Sequence, residues 1–328
     1  MPRFLHHLFK IDLREAEFAR RGFYCPRPEV RERLEHVGQT FLHGYHAALQ
    51  EDNEQNLASL LSAIETEFQG FAYEGAAMAL ALLDGFSPWR KRFQHFLGGA
   101  GKPHIYMLHV GAGWACARLP WLRRRIESAI RKFHPVLRWL VIDGYGFHEG
   151  YFHHRTAVHA GKIPSQLSED ARHVFYQGLG RSLWFVNGAD AAQISQTISS
   201  FAAQYHSDAW SGIGLACAYA GGSSDAEIEE LQFRAGVHSA ALAQGVAFAA
   251  KARQLAGIPA RHTEIACGVF CGMTTEPAAA LCDKTLNQAS NHPSPYQQWR
   301  RLLQRSFLLE TRGKSHELHS HLVAAKYS

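Results

Sequence analysis

A short glycine phrase that recurs along most of the chain is the feature that most restricts its fold. In this phrase, small and apolar residues follow a glycine that most often has a polar residue before it. The glycines are Gly44, Gly75, Gly111, Gly150, Gly178, Gly212 and Gly245. The successive gaps between them are 31, 36, 39, 28, 34 and 33 residues. Periods of roughly 20–50 residues are typical of tandem helical units that bury their apolar faces on one another. The spacing therefore predicts an all-α fold of tandem helical-hairpin repeats.

Two segments about one hundred residues apart align closely, which indicates a duplicated pair of repeats. Tyr73-Glu74-Gly75 matches Tyr176-Gln177-Gly178 at an offset of 103 residues, and 111–117 matches 212–218 at an offset of 101. Equivalent residues of such an array face a common side. We therefore predict one continuous domain with a central channel.

The predicted domain boundaries follow the extent of the repeats. The helical-repeat domain is expected over residues 27–305. An N-terminal lead, residues 1–26, precedes it, and a polar C-terminal tail, residues 306–328, follows it.

Composition excludes several classes of protein. The chain is 46% hydrophobic, but no apolar run approaches the roughly 20 residues that span a bilayer, and the first residues lack the apolar core of a signal peptide. We therefore expect no membrane span and a cytoplasmic location. The six cysteines form no CxxC pattern, which argues against finger-type zinc and attached haem. The net charge of +5 is mild, and the basic run from Arg118 to Lys132 is read as a solvated helix face without nucleic acid.

Helix boundaries can be predicted at several positions. Apolar spacing and glycine stops predict helices over Pro28–Leu49, Ala72–Asp84 and Ser239–Leu255. Ile105–Val110 and Trp139–Ile142 fit either strands or the first turns of repeat helices.

The cofactor stays unknown at this point. A dinucleotide-binding loop is disfavoured because the Gly111-Ala112-Gly113 phrase has Cys116 in place of the third glycine.

The residue immediately before each repeat glycine is expected to line the channel. These residues are His43, Glu74, Val110, Glu149, Gln177, Ser211 and Gln244. A buried carboxylate in this column would have a raised pKa and could act as an acid or a base. An equally open interpretation is that Glu74 and Glu149 cap or cross-link neighbouring hairpins.

A metal site is predicted where titratable residues are densest. On a helix, Glu149 and His153 lie four residues apart on one face, next to His148. Imidazole and carboxylate groups in this arrangement can bind one metal ion, and His109 or Glu74 from neighbouring repeats could contribute. The predicted metal ligands are His148, Glu149 and His153.

The sequence resembles a bacterial family of unknown function associated with enediyne polyketide clusters, the UnbL-like enediyne biosynthesis proteins. The resemblance covers about residues 20–305. It rests on Arg21-Gly22-Phe23, 70–78, 110–115, 143–148, 177–184, Trp210-Ser211-Gly212 and Ala243-Gln244-Gly245. It implies a role in converting a polyene into an enediyne core, or in assembling the enzymes that do so.

Two hypotheses follow from the repeats and the resemblance. In the first, the chain is a tailoring enzyme that holds a polyene or other hydrophobic intermediate in its channel. In the second, it is a non-catalytic scaffold or carrier for the intermediate or for partner enzymes. The catalytic candidates are Glu74 or Glu149 as base, His148 and His109 as proton carriers or ligands, and Arg181 as anchor. The substrate-binding candidates are Gln177, Gln244, Trp114, Tyr73, Trp184 and Trp210.

Overall fold

The computed structural model describes the backbone of residues 9–324 and side chains as far as residue 309. Between residues 9 and 324 the regular elements are all helical and no strand occurs, so the predicted all-α fold is confirmed. Both segments that fitted strand or helix belong to helices or helical turns. Ile105–Val110 forms the first turns of a long helix. Trp139–Ile142 spans the end of a 3-10 turn and the start of another long helix.

Long helices alternate with shorter connecting helices. The long helices are α1 (Pro28–Gln50), α2 (Gln69–Phe86), α3 (Ile105–Arg118), α4 (Leu140–Phe152), α5 (Glu169–Val186), α6 (His206–Ala220), α7 (Ser239–Ala256), α8 (Thr275–Ala289) and α9 (Pro295–Ala324). The connecting α-helices are Phe18–Arg21, Glu54–Ser62, Arg92–Gly98, Pro120–Arg123, Ile126–Ala129, Ala191–Ser199, Asp225–Ala235 and Arg261–Ala266. The 3-10 turns are Leu13–Ala16, Thr66–Phe68, Pro88–Arg90, Lys102–His104, Ile130–Lys132, Leu137–Trp139, Ala203–Tyr205 and Gly236–His238, and the π-helical turns are Arg155–His159 and Cys267–Cys271.

Consecutive long helices pack backbone against backbone at the glycines. A Cβ atom added to Gly178 of α5 would lie 1.9 Å from the carbonyl oxygen of Asp143 in α4. One added to Gly212 of α6 would lie 2.0 Å from the carbonyl oxygen of Gln177 in α5. Only glycine permits this approach, which also favours Cα–H···O contacts between helices. The glycine phrase therefore sets the spacing of the helices.

Consecutive long helices from α1 to α7 run in the same direction, whereas α9 runs opposite to α7, where Phe248 contacts Tyr296 and Gln244 contacts Arg300. Between α4 and α5, Gly150 lies against Ser182 and Asp143 bonds to Gln177, which are offsets of 32 and 34 residues. Because the residue numbers increase together in both helices, the helices are parallel. The segments that connect α1 to α7 must therefore return the chain to the starting end each time.

The array curls so that early and late helices border one interior. Arg33 Nε of α1 donates to the carbonyl oxygen of Ala220 at the end of α6, at 2.7 Å. The rings of Phe71 in α2 and Tyr219 in α6 lie 5.1 Å apart. Helix α9 lies against the same interior, where the hydroxyl of Tyr296 reaches α5. Residues distant in sequence thereby meet inside the array.

Among the described residues, no single helix combines the length and apolar composition needed to cross a bilayer. One bent pair, Arg261–Cys271 with Thr275–Ala289, meets these two criteria across a 67° break.

We expect Gly178→Ala to destabilise the protein by about 3 kcal/mol or more, the upper end of the cost of overpacking a core. The new methyl group would lie 1.9 Å from Asp143 O and 2.8 Å from Phe147 N, so two backbones must separate. Urea unfolding measures the change. Gly268→Ala is the control, because Gly268 is exposed and its added Cβ meets no atom within 4 Å. Equal stability of the two variants would contradict close packing at Gly178.

Candidate functional site

Polar residues that precede the glycines meet inside the array. Glu74, Gln177, Ser211 and Gln244 are all buried, with at most 3% of their surface exposed. Each lies on a different long helix, from α2 to α7. Close packing at each following glycine brings them into one buried row.

In α4, the residue that belongs to this row is not the predicted Glu149. Gly144 packs on the carbonyl oxygen of Val110, as the other repeat glycines pack on their neighbours, whereas a Cβ on Gly150 would meet the side chain of Ser182. With Gly144 in the series, the gaps of 39 and 28 residues become 33 and 34. The buried residue in α4 is therefore Asp143, and Glu149 lies outside the row.

At one end of the row, two carboxylates share one arginine. Trp114 Nε1 donates to Glu74 Oε1 at 3.0 Å. Arg181 NH1 forms an ion pair with Asp143 Oδ1, and its NH2 lies 4.0 Å from Glu74 Oε1. Arg181 therefore neutralises Asp143 directly and Glu74 only at a distance.

The middle of the row consists of neutral hydrogen-bonding groups. Gln177 Nε2 donates to Asp143 Oδ2 at 2.7 Å and to the hydroxyl oxygen of Tyr296 at 2.9 Å. Ser211 Oγ lies 3.3 Å from Gln177 Oε1 and 3.0 Å from Gln244 Oε1. Ser211 therefore links α5 to α7.

At the other end, the row approaches the surface. Arg300 Nε donates to Gln244 Oε1 at 3.3 Å, and Arg300 NH2 forms an ion pair with Asp208 Oδ1 at 2.7 Å. Asp208 Oδ2 lies 2.6 Å from His173 Nδ1, and the His173 side chain is 30% exposed. The hydrogen bond with Asp208 raises the pKa of His173. Together these contacts form one polar network from Glu74 to His173.

Glu74 is the carboxyl group whose environment favours protonation. Complete burial raises the pKa of Glu74 to about 7, although Arg181 and the Trp114 hydrogen bond oppose this rise, while nearby Asp143 adds to it. A carboxyl group that titrates near neutral pH is suited to general acid–base chemistry.

Glu74 borders an aromatic cavity. The cavity contains about 620 Å³ of empty space, counted with its open mouth, although it is narrow. Two buried donors at this cavity, Arg181 Nε and the Tyr219 hydroxyl, have no hydrogen-bond partner among the described residues. The lining residues are Glu15, Ala16, Val37, Gly38, Phe41, Leu42, Phe71, Glu74, Trp114, Phe147, Tyr151, Phe152, Arg181, Phe185, Leu215, Ala216, Tyr219 and Ala220. The structure describes a cavity here, and the predicted central channel stays a prediction.

Tyr73, Trp184, Trp210 and His109 lie in neither the cavity lining nor the polar network. Tyr73 stacks on His104 with ring centroids 3.7 Å apart, and Trp184 Nε1 donates to Gly221 O. Trp210 is buried in α6 outside the cavity lining. His109 Nδ1 bonds to the carbonyl oxygen of its own helix at Ile105, and burial lowers the pKa of His109 to about 4. Gln177 and Gln244 belong to the network and do not line the cavity.

His43 also lies outside the row, because the register changes at α1. Gly75 packs on the carbonyl oxygen of Phe41 and not on that of His43. Phe41 consequently lines the cavity, whereas His43 is exposed.

The structure brings together the three predicted metal ligands. His148 Nδ1 lies 3.1 Å from Glu149 Oε1, and His153 Nδ1 lies 3.1 Å from Glu149 Oε2. One ligand atom from each of the three residues lies within 4.8 Å of the others. Tetrahedral zinc with bonds of about 2 Å separates its ligands by about 3.3 Å, so these residues could supply three of its ligands. Direct hydrogen bonds between the side chains account for the same distances. The His148 ring also contacts Trp114, at 5.8 Å between centroids, so this cluster adjoins the cavity lining.

Comparison with known proteins identifies one family. The family model described as protein of unknown function (DUF1702) matches residues 2–307. No curated protein and no solved structure matches the chain.

We expect Glu74 to make wild-type stability fall as pH rises. Its folded pKa of about 7 exceeds the usual 4.5, so its stabilising contribution is complete below about pH 4.5 and is lost as the pH rises through 7. Glu74→Gln removes this titration. The difference in the free energy of unfolding, variant minus wild type, should therefore increase by roughly 3 kcal/mol between about pH 5 and pH 8. Urea unfolding across this range, with exposed Glu276→Gln as control, measures the difference; a pH-independent difference would contradict the raised pKa.

We expect Zn²⁺ to raise the melting temperature of the wild-type protein if His148, Glu149 and His153 bind it together. Zinc at about 100 times its dissociation constant should stabilise the fold by about 2.7 kcal/mol. Glu149→Gln and His153→Ala should each abolish most of this effect, while exposed His43→Ala should retain it. Calorimetric melting of metal-stripped protein, with and without added zinc, measures the effect. An unchanged melting temperature would show that the three side chains form hydrogen bonds and do not bind zinc.

Proposed function

We propose that this chain, which belongs to the DUF1702 family of proteins of unknown function, binds a conjugated apolar molecule in its interior cavity and transfers protons to and from it through Glu74. One observation carries the proposal: Glu74, with a pKa of about 7, lies at an aromatic cavity beside Arg181. Acid–base catalysis needs such a group within reach of a bound ligand.

The cavity lining favours an unsaturated ligand. Phe41 and Phe147 both contact Trp114, at centroid distances of 4.5 and 5.0 Å, and all three rings line the cavity. Aromatic rings stack favourably on flat conjugated surfaces. The resemblance to the enediyne-associated family suggests a polyene made by a polyketide synthase as the ligand.

The polar groups of the cavity suggest how one end of the ligand is held. Arg181 Nε and the Tyr219 hydroxyl are buried donors without partners, which is costly unless a bound oxygen or water accepts from them. A carbonyl oxygen at the end of a polyene would supply an acceptor for such a donor. The conjugated chain would then extend among the aromatic rings.

The chemistry that fits this arrangement is the migration of a double bond. Glu74 as a carboxylate, stabilised by Arg181, removes a proton from a carbon adjacent to the conjugated system, and the electron pair is delocalised onto the carbonyl oxygen as an enolate. Neutral Glu74 then returns the proton to another carbon of the enolate, so that the double bond shifts and the carboxylate is restored. The reaction requires no oxidant.

A non-catalytic carrier or scaffold is the second candidate, and the contacts of Glu74 favour it. This side chain connects α2 to Trp114 of α3 and approaches Arg181 of α5. A carboxylate that joins three helices is also what a structural cross-link requires. In this case the protein would hold the intermediate, or partner enzymes, without changing the ligand.

We expect a fluorescent conjugated tetraene fatty acid to bind wild-type protein, and Ala216→Leu to weaken binding at least about tenfold by filling the cavity. Ala252→Leu is the matched control, because Ala252 is also buried in a long helix, α7, but does not line this cavity. In D₂O, the wild type should also incorporate deuterium into a linear conjugated polyenone. Glu74→Gln should reduce this rate at least about 100-fold while binding persists.

The outcomes separate the two candidates. Binding without deuterium incorporation that depends on Glu74 would support the carrier. Equal binding to wild type and Ala216→Leu would remove the cavity as the ligand site and contradict both.

A further inference from the structure

A second surface, remote from Glu74, combines exposed aromatic rings with unpaired cations. Because α2 and α3 are consecutive members of a parallel array, the segments that follow them emerge at the same end. Trp89 is 74% exposed, Trp121 47% and Phe86 41%. The rings of Phe86 and Trp121 contact each other edge to face, with centroids 5.3 Å apart. We call this region the aromatic–basic surface; it comprises Phe86, Trp89, Arg90, Lys91, Trp121, Arg124, Arg125, Arg131 and Lys132.

The charge of this surface is net positive. All six of its cations are exposed, and none forms an ion pair with any residue that the structure describes. Nearby carboxylates are engaged elsewhere. Asp84 accepts hydrogen bonds from Arg92 and Phe93, and Glu127 accepts from Ser168. By contrast, most arginines between residues 14 and 33 do form ion pairs.

An apolar groove opens within the aromatic–basic surface. Its empty space is about 950 Å³, counted with its open side. Small residues of α3, Ala112 and Ala115, form part of its wall, and Phe93 and Phe133 contact each other in another part, with ring centroids 5.6 Å apart. Lys91, Trp121 and Lys132 also line it. Cations beside an apolar groove fit the headgroup and acyl chain of an anionic lipid.

We propose that the aromatic–basic surface docks on a membrane that contains acidic phospholipids. Indole rings favour the interface between headgroups and acyl chains, and cations are drawn to the negative surface potential of such membranes. An acidic protein would also match the charge. Two features favour the bilayer. Trp89 is largely exposed, as expected of a ring that enters a fluid apolar phase, and the open groove can accept an acyl chain.

This proposal does not rest on the chemistry assigned to Glu74. It adds a location at which an apolar ligand is concentrated, since acyl chains dissolve conjugated molecules that water excludes. Failure of membrane docking would leave the proposed function unchanged, and the two experiments use different variants and readouts.

Co-sedimentation with vesicles tests the proposal on the full chain. Wild-type protein should bind phosphatidylcholine vesicles that contain phosphatidylglycerol, bind pure phosphatidylcholine far more weakly, and be released by high salt. Each cation near the lipid surface is worth about a fivefold change in partitioning, so Arg124→Gln combined with Arg125→Gln should weaken binding about 30-fold. Trp89→Ala combined with Trp121→Ala should also weaken vesicle binding. This loss comes from apolar contacts and should differ from the loss that high salt causes.

The matched control is Lys284→Gln combined with Arg301→Gln, which removes two exposed cations from α8 and α9. This control should bind as wild type does, and unchanged melting temperatures should show that every variant is folded. Equal binding to neutral vesicles, no binding to acidic vesicles, or an equal loss in the control would each overturn the proposal. Retention on immobilised polyglutamate without vesicle binding would also overturn it, because the partner would then be an acidic protein.

Discussion

The contact of a glycine with the backbone of the preceding helix is the constraint on which the rest of the structure depends. At Gly178, Gly212 and Gly245 there is no room for a side chain between the helix and a neighbouring carbonyl oxygen. In each case that oxygen belongs to the polar residue before the preceding repeat glycine. The register of every helix is therefore fixed relative to its neighbour. As a result, residues about 34 positions apart in sequence come within hydrogen-bonding distance of each other.

Burying this much charge is tolerable only because the groups satisfy one another. Asp143 and Asp208 each contact an arginine directly. Glu74 does not, because Arg181 is already engaged with Asp143 and lies 4.0 Å away. Burial consequently prevails at Glu74 and favours the neutral acid. The raised pKa of Glu74 thus arises from its burial and from an unequal division of one arginine between two carboxylates.

The sequence predicted the long helices and most of the buried row, because both follow from local periodicity. The first helix was placed within one residue of its observed end. The prediction of the row was wrong at α4, where both Gly144 and Gly150 follow an acidic residue and the repeat was assigned to Gly150. The phrase Asp143-Gly144-Tyr145-Gly146 shares its pattern with Gln177-Gly178-Leu179-Gly180, and this match was the signal that identifies the correct pair.

Other site residues could not be inferred from the repeat. Tyr296 and Arg300 come from α9, which follows the last repeat glycine, so their place in the network depends on tertiary packing. Tyr219 also reaches the cavity without any local pattern that marks it. The direct partner of Arg181 is Asp143, and Asp208 pairs with Arg300.

The division into interlocked long helices and returning connections also determines where such a chain can change length. An added residue within a long helix would rotate its glycine away from the adjoining carbonyl, whereas one in a connection leaves that register intact. The longest interval between register-setting glycines, 36 residues, separates Gly75 from Gly111 and includes Trp89. New surface properties can thus be acquired in the connections while the interior is preserved.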